Sequence, residues 1–219
     1  VFVQFFGYHG SWEKSTDAFA PLRNTNSQVP DKKYLTVEYS WNYMKKRGAV
    51  PCKTVMKIAM KSAEFRLKNK IPDTEGVVVP GDGLETVPGG GTIDFKQLCR
   101  MLREEKGWQT EWDEEKRTPY MWREDRWVSY EDSRSVREKV KYANSEGMAG
   151  VAIEDLSRDD VLGECYNTGY PVKLYHPTNI SYPLLRTMHD SQGGHCGAFT
   201  GARSTAGKNK VNMVVTLLM

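Results

Sequence analysis

The chain has 219 residues, of which 39% are hydrophobic, 27% charged and 11% aromatic. This composition is ordinary for a globular protein with one large core or two modest ones. The formal net charge is only +3, and Lys and Arg are scattered among Asp and Glu, so the charge pattern argues against a nucleic-acid-binding protein. No apolar run approaches the length of a membrane span.

The chain begins at Val1, inside an apolar segment, so we expect a fragment whose natural start lies upstream. The four cysteines stand at wide, irregular spacings: Cys52, Cys99, Cys165 and Cys196. These spacings exclude CxxC zinc chemistry and are compatible with a disulfide in a secreted protein or with reduced thiols. Asn179-Ile180-Ser181 is an N-glycosylation sequon, although that tripeptide is common.

The first 64 residues follow an α/β pattern. A buried strand is predicted over Phe2–Phe6, ending at Gly7, and a loop over 8–33. A helix is predicted over Lys33–Lys46, followed by a strand over Thr54–Met60.

Residues 65–127 break this pattern and predict an inserted α+β subdomain with a helix near Asp94–Glu105. The run Gly89–Gly91 precedes that helix but lacks the Lys-Ser/Thr of a phosphate-binding loop, so we predict a turn there. Glu111–Glu115 is a charge run for which we predict a solvated loop.

The most regular stretch is 118–160, which predicts a strand pair, a helix, a buried strand and an acidic loop. Ser133 is the predicted N-cap of the helix and Gly147 its stop. Met148–Ile153 is a short apolar run of the kind found in parallel strands covered on both faces. In a (β/α)8 barrel, the residues just past such a strand form the working face.

Five segments together resemble the family-18 glycoside hydrolases, the chitinases and chitinase-like proteins. They occur in the family's order: Phe6–Glu13, Ala20–Leu22, Lys57–Phe65, Thr118–Asp132 and Gly150–Cys165. The resemblance covers about residues 1–172. It implies the carboxyl-terminal part of an α/β fold, strands six to eight of a (β/α)8 TIM barrel, with a small α+β insertion after strand seven.

Pattern and resemblance together predict four segments. Residues 1–64 would hold barrel strands six and seven with the intervening helix, and 65–127 the insertion domain. Residues 128–190 would hold helix seven, strand eight and the final helix region. A disordered tail is expected over 191–219.

The resemblance also implies which residues would act on chitin, and several are replaced. The sixth-strand Tyr and Asp, which would hold the N-acetyl group, are Phe6 and Gly7 here. The seventh-strand Tyr and Arg are Lys61 and Ala63, and the eighth-strand Trp under the −1 sugar is Glu154. Each group aimed at developing charge is worth about 3 kcal/mol or more.

The chain also lacks the family's acidic strand-four motif, whose Glu protonates the leaving oxygen while the substrate's N-acetyl group is the nucleophile. We therefore predict no catalytic residue in this chain, and no cofactor or metal.

The candidate substrate-binding residues are Trp12, His9, Glu154 and Tyr130. Trp12 is weighed equally as a sugar-stacking and as a packing residue, whereas Tyr130 and its neighbour Trp127 fit a core better. A lone His is more often a structural hydrogen-bonding group than a catalyst.

Asp159 and Asp160 resemble a helix-start pair, with a metal site as the less favoured alternative. The resemblance implies a disulfide between Cys99 and Cys165 and leaves Cys52 and Cys196 without obvious partners.

Three functions remain open. The first is a secreted, catalytically inactive chitinase-like protein that binds chitin or N-acetylglucosamine oligomers. The second is a fragment of a divergent chitinase that hydrolyses β-1,4-linked N-acetylglucosamine polymers. The third is an interaction or growth-factor-like protein on the same scaffold, without a sugar ligand. None of the three involves nucleic acid or a membrane.

Overall fold

The structure is a computed structural model that describes residues 1–23, 34–71, 83–167 and 181–193. These residues form eight strands and four α-helices. In chain order they are β1 (Phe2–Gln4), α1 (Val37–Lys46), β2 (Val55–Ile58), β3 (Lys61–Leu67), β4 (Thr86–Asp94), α2 (Phe95–Glu104), β5 (Gln109–Asp113), β6 (Thr118–Arg123), β7 (Arg126–Ser129), α3 (Ser133–Ser145), β8 (Gly150–Ile153) and α4 (Pro183–Ser191). None of the described helices has the length and apolar character needed to span a bilayer.

One sheet is parallel, in the order β1-β2-β8. Met56 of β2 lies between Val3 of β1 and Val151 of β8, and both Met56 and Val151 are buried in the main core. The apolar run before Glu154 therefore forms a parallel strand, as predicted. The first strand is shorter than predicted, Phe2–Gln4, and its predicted burial is wrong at Phe2, which is 46% exposed, whereas Phe5 just beyond it is buried.

The other sheet is antiparallel, in the order β4-β3-β7-β6-β5. Its strands span 61–129, so the sheet begins earlier than the predicted boundary at residue 65. The strand pair predicted before α3 is present as β6 and β7.

Two loop predictions in this sheet are wrong. Gly89 and Gly90 lie inside β4, with φ of +139° and +83°, at a register shift against β3. A Cβ on Gly90 would stand 2.2 Å from the backbone oxygen of Glu64, so glycine permits a close strand contact there instead of a turn. The first part of Glu111–Glu115 belongs to β5, where Trp112 pairs with Pro119.

Helix α3 begins one residue earlier than predicted. Its N-cap is Asp132, whose carboxylate accepts from the backbone N–H of Ser135 at 2.8 Å, while Ser133 makes a 2.7 Å hydroxyl contact with Thr187 of α4. The predicted stop is confirmed, since Gly147 follows the helix with φ of +67°, the left-handed conformation that glycine adopts at low cost.

A disulfide joins Cys99 of α2 to Cys165, with the two Cα atoms 4.7 Å apart. It lies in the main core, which is shared by the parallel sheet, the helices and one face of the antiparallel sheet. Cys52, for which the sequence offered no obvious partner, is also disulfide-bonded. Cys196, the Asn179 sequon and almost all of the predicted tail lie outside the described residues.

Candidate functional site

The carboxyl ends of β1, β2 and β8 meet at one edge of the parallel sheet, where α/β proteins place their ligand sites. Past β1, the half-buried Phe6 ring packs against Phe19, with ring centroids 6.2 Å apart. The backbone N–H groups of Gly7 and Tyr8 both donate to the carbonyl oxygen of Phe19, at 3.1 and 3.0 Å. Phe6 and Gly7 thus supply packing and a turn, and neither side chain offers a hydroxyl or a carboxylate.

Lys61 and Glu154, which the sequence analysis considered separately, form an ion pair at this edge. The Nζ atom of Lys61 lies 3.2 Å from Oε1 of Glu154, and the two side chains are 20% and 19% exposed. The backbone N–H of Glu154 donates to the carbonyl oxygen of Ile58 at 3.0 Å, which fixes its position beside β2. The other carboxylate oxygen, Oε2, is buried without a hydrogen-bond partner in the described structure. Ala63, the remaining altered position, is buried in a second, smaller apolar cluster that includes Phe65 and Trp127.

Trp12 is 66% exposed and borders an open groove of about 650 Å³. One wall of the groove is Ser11–Lys14, and the other is Lys68 with Glu85–Pro88 at the start of β4. The groove therefore lies between the loop after β1 and the antiparallel sheet.

The Trp12 ring lies directly on Gly10. A Cβ added to Gly10 would stand 2.1 Å from the nearest ring carbon, a distance that no pair of unbonded carbons sustains. The Glu13 carboxylate accepts from the backbone N–H of Gly10 at 3.3 Å, and the backbone N–H of Glu13 donates to the carbonyl oxygen of Gly10 at 3.0 Å. Two hydrogen bonds between Gly10 and Glu13 therefore hold the turn beneath the ring.

His9 supports this turn from inside and does not reach the groove. It is 1% exposed, with Nδ1 3.1 Å from both carboxylate oxygens of Glu13 and Nε2 3.7 Å from Asp17. Asp17 also forms a buried ion pair with Lys116 at 2.7 Å. This position fits a structural hydrogen-bonding group.

Tyr130 lies in the core at 2% exposure, and burial raises its pKa well above the ordinary value. It lines a cavity of about 200 Å³, where the guanidinium of Arg134 lies 3.8 Å from the ring centroid of Trp112. Trp127 is fully buried and stacks on Tyr120. Neither Tyr130 nor Trp127 presents a ring face to the Trp12 groove.

The two aspartates after β8 occupy helix starts. Asp159 accepts from the backbone N–H of Leu185 at 3.0 Å, at the beginning of α4, and burial raises its pKa to about 6. Asp160 accepts from the backbone N–H groups of Glu164 and Cys165 at 2.9 and 2.8 Å. Asp160 also lies near the sulfurs of Cys99 and Cys165, but their disulfide leaves no thiolate to bind a metal.

A comparison with models of protein families identifies the family of this chain. The model of the glycosyl hydrolases family 18 matches residues 1–159. This chain belongs to that family. An endochitinase of Brugia malayi is 28% identical over 196 residues, which make up 89% of this chain and 36% of that family-18 relative.

Solved structures of family-18 proteins share the fold. A group IV chitinase of Ostrinia furnacalis superposes with a TM-score of 0.72 at 23% identity, over 87% of this chain and 49% of that one. Human YKL-39, described as a pseudo-chitinase with retained chitooligosaccharide binding properties, gives 0.68 at 24%, over 86% and 49%. The chain thus spans half or less of the length of these relatives, and its mixed α/β fold is of the (β/α)8-barrel class.

Sequence reasoning missed two parts of this site. One is the second wall of the groove, since Lys68 and Glu85–Pro88 belong to the segment that was predicted only as an inserted α+β subdomain. The other is the pairing of Lys61 with Glu154. The sequence did offer one signal for this pairing: Lys61 and Glu154 carry opposite charges and follow two strands of a parallel sheet.

Proposed function

We propose that this chain is the carboxyl-terminal part of the barrel of a chitinase-like protein that binds chitin or N-acetylglucosamine oligomers without hydrolysing them. In this proposal β1, β2 and β8 are barrel strands six, seven and eight, and the antiparallel sheet with α2 is the insertion domain. Residues 1–64, 65–127 and 128–190 remain the approximate domains. Support comes from the parallel order of the three strands and from the antiparallel sheet that intervenes between β2 and β8.

The observation that carries the binding proposal is Trp12. Its flat ring is mostly exposed beside an open groove, and large exposed aromatic rings next to a concavity are characteristic of ligand sites. An indole combines an apolar face with a polar N–H, which suits the apolar face and hydroxyl rim of a pyranose. Human YKL-39, described as retaining chitooligosaccharide binding, supports the same ligand class.

The proposed absence of hydrolysis rests on the carboxyl edge of the parallel sheet. Phe6 and Gly7 provide no group to hold an N-acetyl substituent or to stabilise positive charge. Lys61 and Glu154 are held in an ion pair. A catalytic site needs groups preorganised toward the developing charge, and these four positions offer packing, a turn and a neutralised pair.

Secretion is part of the proposal, because the Cys99–Cys165 disulfide is of a kind that persists mainly in oxidising compartments. Retained hydrolysis is the second candidate, and the similarity to the Brugia malayi endochitinase favours it.

The first test is the change Trp12→Ala, with binding of N-acetylglucosamine oligomers followed by calorimetry. We expect Kd to rise at least about tenfold, equivalent to about 1.4 kcal/mol, because the stacking surface is removed. Tyr43→Ala is the matched control, since Tyr43 is also an exposed ring, on the outer side of α1, and its loss should leave Kd unchanged. Equal affinities of wild type and Trp12→Ala would contradict the groove as the binding site.

Turnover of a fluorogenic chitobioside separates binding from hydrolysis. We expect no turnover above the buffer rate. Measurable turnover would establish the divergent chitinase instead, and no binding of any oligomer would favour the interaction protein without a sugar ligand.

A further inference from the structure

The second wall of the Trp12 groove carries an apolar part and a charged part on one face of the antiparallel sheet. Glu85, just before β4, and Val87, inside it, are two positions apart and so point to the same face of the sheet. Lys68 lies beside Glu85, because its backbone N–H donates to the Glu85 carbonyl oxygen at 2.9 Å. All three side chains line the groove, whereas Leu67, on the opposite face, is buried.

The charged part is the ion pair of Lys68 and Glu85. Nζ of Lys68 lies 2.6 Å from Oε2 of Glu85, and the two side chains are 58% and 67% exposed. A pair so exposed contributes little to folding. One hydrogen bond between an ammonium and a carboxylate also leaves further donors on the first and further acceptor positions on the second. The pair can therefore bond a ligand group that has one donor and one acceptor, such as a secondary amide.

The apolar part of the wall is Val87 with Pro88. Val87 is 41% exposed, and Pro88, also exposed, has no backbone N–H to offer a ligand. Their side chains contain no donor or acceptor. A methyl group that covers them gains from the burial of apolar surface, whereas an ammonium group placed there loses water without a replacement.

Hydrogen bonds join the two walls of the groove. The hydroxyl of Thr86 donates to the backbone carbonyl oxygen of Glu13 at 2.6 Å, and the backbone N–H of Thr86 donates to the carbonyl oxygen of Lys14 at 3.0 Å. These contacts hold the start of β4 next to the segment that carries Trp12. The groove is thus formed without a ligand, as is usual for binding sites, and a ring stacked on Trp12 faces a wall of fixed composition.

We propose that this second wall recognises the N-acetyl group of a sugar stacked on Trp12. The acetyl methyl group lies on Val87 and Pro88. The amide N–H donates to the carboxylate of Glu85, and the amide carbonyl oxygen accepts from Nζ of Lys68. This inference rests on the proposed binding function and adds the groups that select an acetylated sugar. The ammonium group of a deacetylated sugar would meet an apolar surface and the cation of Lys68.

The experiment measures Kd by calorimetry for two oligomers of equal length, one of N-acetylglucosamine and one of glucosamine, at a mildly acidic pH that keeps the glucosamine amines protonated. We expect wild type to bind the acetylated oligomer at least about tenfold more tightly. In V87D we expect this preference to fall at least about tenfold, because the new carboxylate removes the apolar contact and attracts the ammonium group. No preference in wild type, or the same preference in V87D, would overturn the proposal.

The matched control is V50D. Val50 is also exposed, at 48%, but does not line the groove, so this variant adds the same charge elsewhere and should keep the wild-type preference. A preference lowered equally in V50D and V87D would overturn the proposal. Thermal unfolding of each variant establishes that it is folded. If V87D does not fold, V87T, which keeps the shape of valine and suits a strand, should lower the preference about fourfold through the loss of one methyl contact.

The variant K68A/E85A tests the charged part of the wall. We expect its affinity for the acetylated oligomer to fall about tenfold, because two hydrogen bonds to charged groups are lost. Wild-type affinity in this variant would overturn the assignment of the amide group to the Lys68–Glu85 pair.

The two proposals fail in different ways. If wild type binds no oligomer, or if Trp12→Ala binds as wild type does, the binding function is wrong. If Trp12→Ala weakens binding but V87D leaves the preference for the acetylated oligomer unchanged, only the role of the second wall is wrong.

Discussion

At the scale of single residues, the position of the Trp12 ring depends on Gly10 having no side chain. The Trp12 ring occupies the space directly above the Cα of Gly10, and the carboxylate of Glu13 holds the turn through the Gly10 N–H and His9. Two-thirds of the Trp12 side chain still faces solvent. The turn at Gly10 therefore fixes the orientation of the ring, while the face of the ring opposite Gly10 stays accessible to solvent.

We expect Gly10→Ala to displace the Trp12 ring, because the new Cβ would stand 2.1 Å from it. Affinity for N-acetylglucosamine oligomers should fall toward that of Trp12→Ala, whereas the free energy of unfolding should change little, since the ring is mostly exposed. Calorimetric titration and urea denaturation measure the two quantities. Gly91→Ala is the control, because a Cβ there meets nothing within 4 Å. Wild-type affinity in Gly10→Ala would show that the ring position is unimportant.

At the scale of secondary-structure elements, α3 is held by a buried charge pair as well as by apolar side chains. Lys139, on its inner face, pairs with Glu131, and both side chains are almost completely buried. The hydroxyl of Ser135 donates to the other oxygen of Glu131 at 2.6 Å. This pair lies among the buried apolar residues of the same helix, Val136 and Val140.

We expect Lys139→Met to lower the free energy of unfolding by about 3–5 kcal/mol, because it leaves the Glu131 carboxylate buried without its cation. The double change E131Q/K139M should recover most of that loss, since no unpaired charge remains. Urea denaturation of the two variants and wild type gives the comparison. A single variant no less stable than the double would rule out an ionised Glu131 as the cause.

At the scale of the whole molecule, the stability of the chain should depend on pH through Asp159. Burial raises the pKa of its carboxyl from 3.8 to about 6 in the folded state. Between these values the folded protein holds the proton more tightly than the unfolded chain does. The contribution of Asp159 is thus most favourable below about pH 4 and is lost as the pH rises through 6. The difference is on the order of 3 kcal/mol.

The variant Asp159→Asn isolates this effect. Its amide can still accept a hydrogen bond from the start of α4 but does not titrate. We expect the stability of wild type minus that of Asp159→Asn to fall between pH 4 and pH 7, as measured by urea denaturation at each pH. A difference that is constant over this range would mean that Asp159 is already ionised at pH 4.

Much of the fold could be predicted because it is encoded locally. The apolar run Met148–Ile153 and the glycine stop at Gly147 each report on neighbours in sequence. The glycines of β4 were predicted wrongly, since the close approach of Gly90 to Glu64 depends on a strand about 25 residues away. Ser133 and Asp132 are both good N-caps, and in the fold Asp132 caps the helix while the Ser133 hydroxyl contacts Thr187 of α4.

The features of the candidate site also divide into those encoded locally and those that depend on residues distant in sequence. The altered residues at the strand ends could be anticipated from one segment at a time, whereas the sequence left open whether Trp12 is exposed or packed. The contact between Lys61 and Glu154 joins residues 93 positions apart, and it requires the order of strands in the sheet. The contact of the Trp12 ring with Gly10 could not be predicted, because it depends on the orientation of the Trp12 side chain, which no spacing in the sequence specifies.

The disulfide between Cys99 and Cys165 closes a covalent ring with a sequence separation of 66 residues. This ring contains β5, β6, β7, α3 and β8, and with them the strand end that carries Glu154. A protease that cuts an exposed turn inside it, such as the one at Glu124 between β6 and β7, opens the ring without dividing the molecule. The two fragments then stay linked through the Cys99–Cys165 disulfide until a reductant acts.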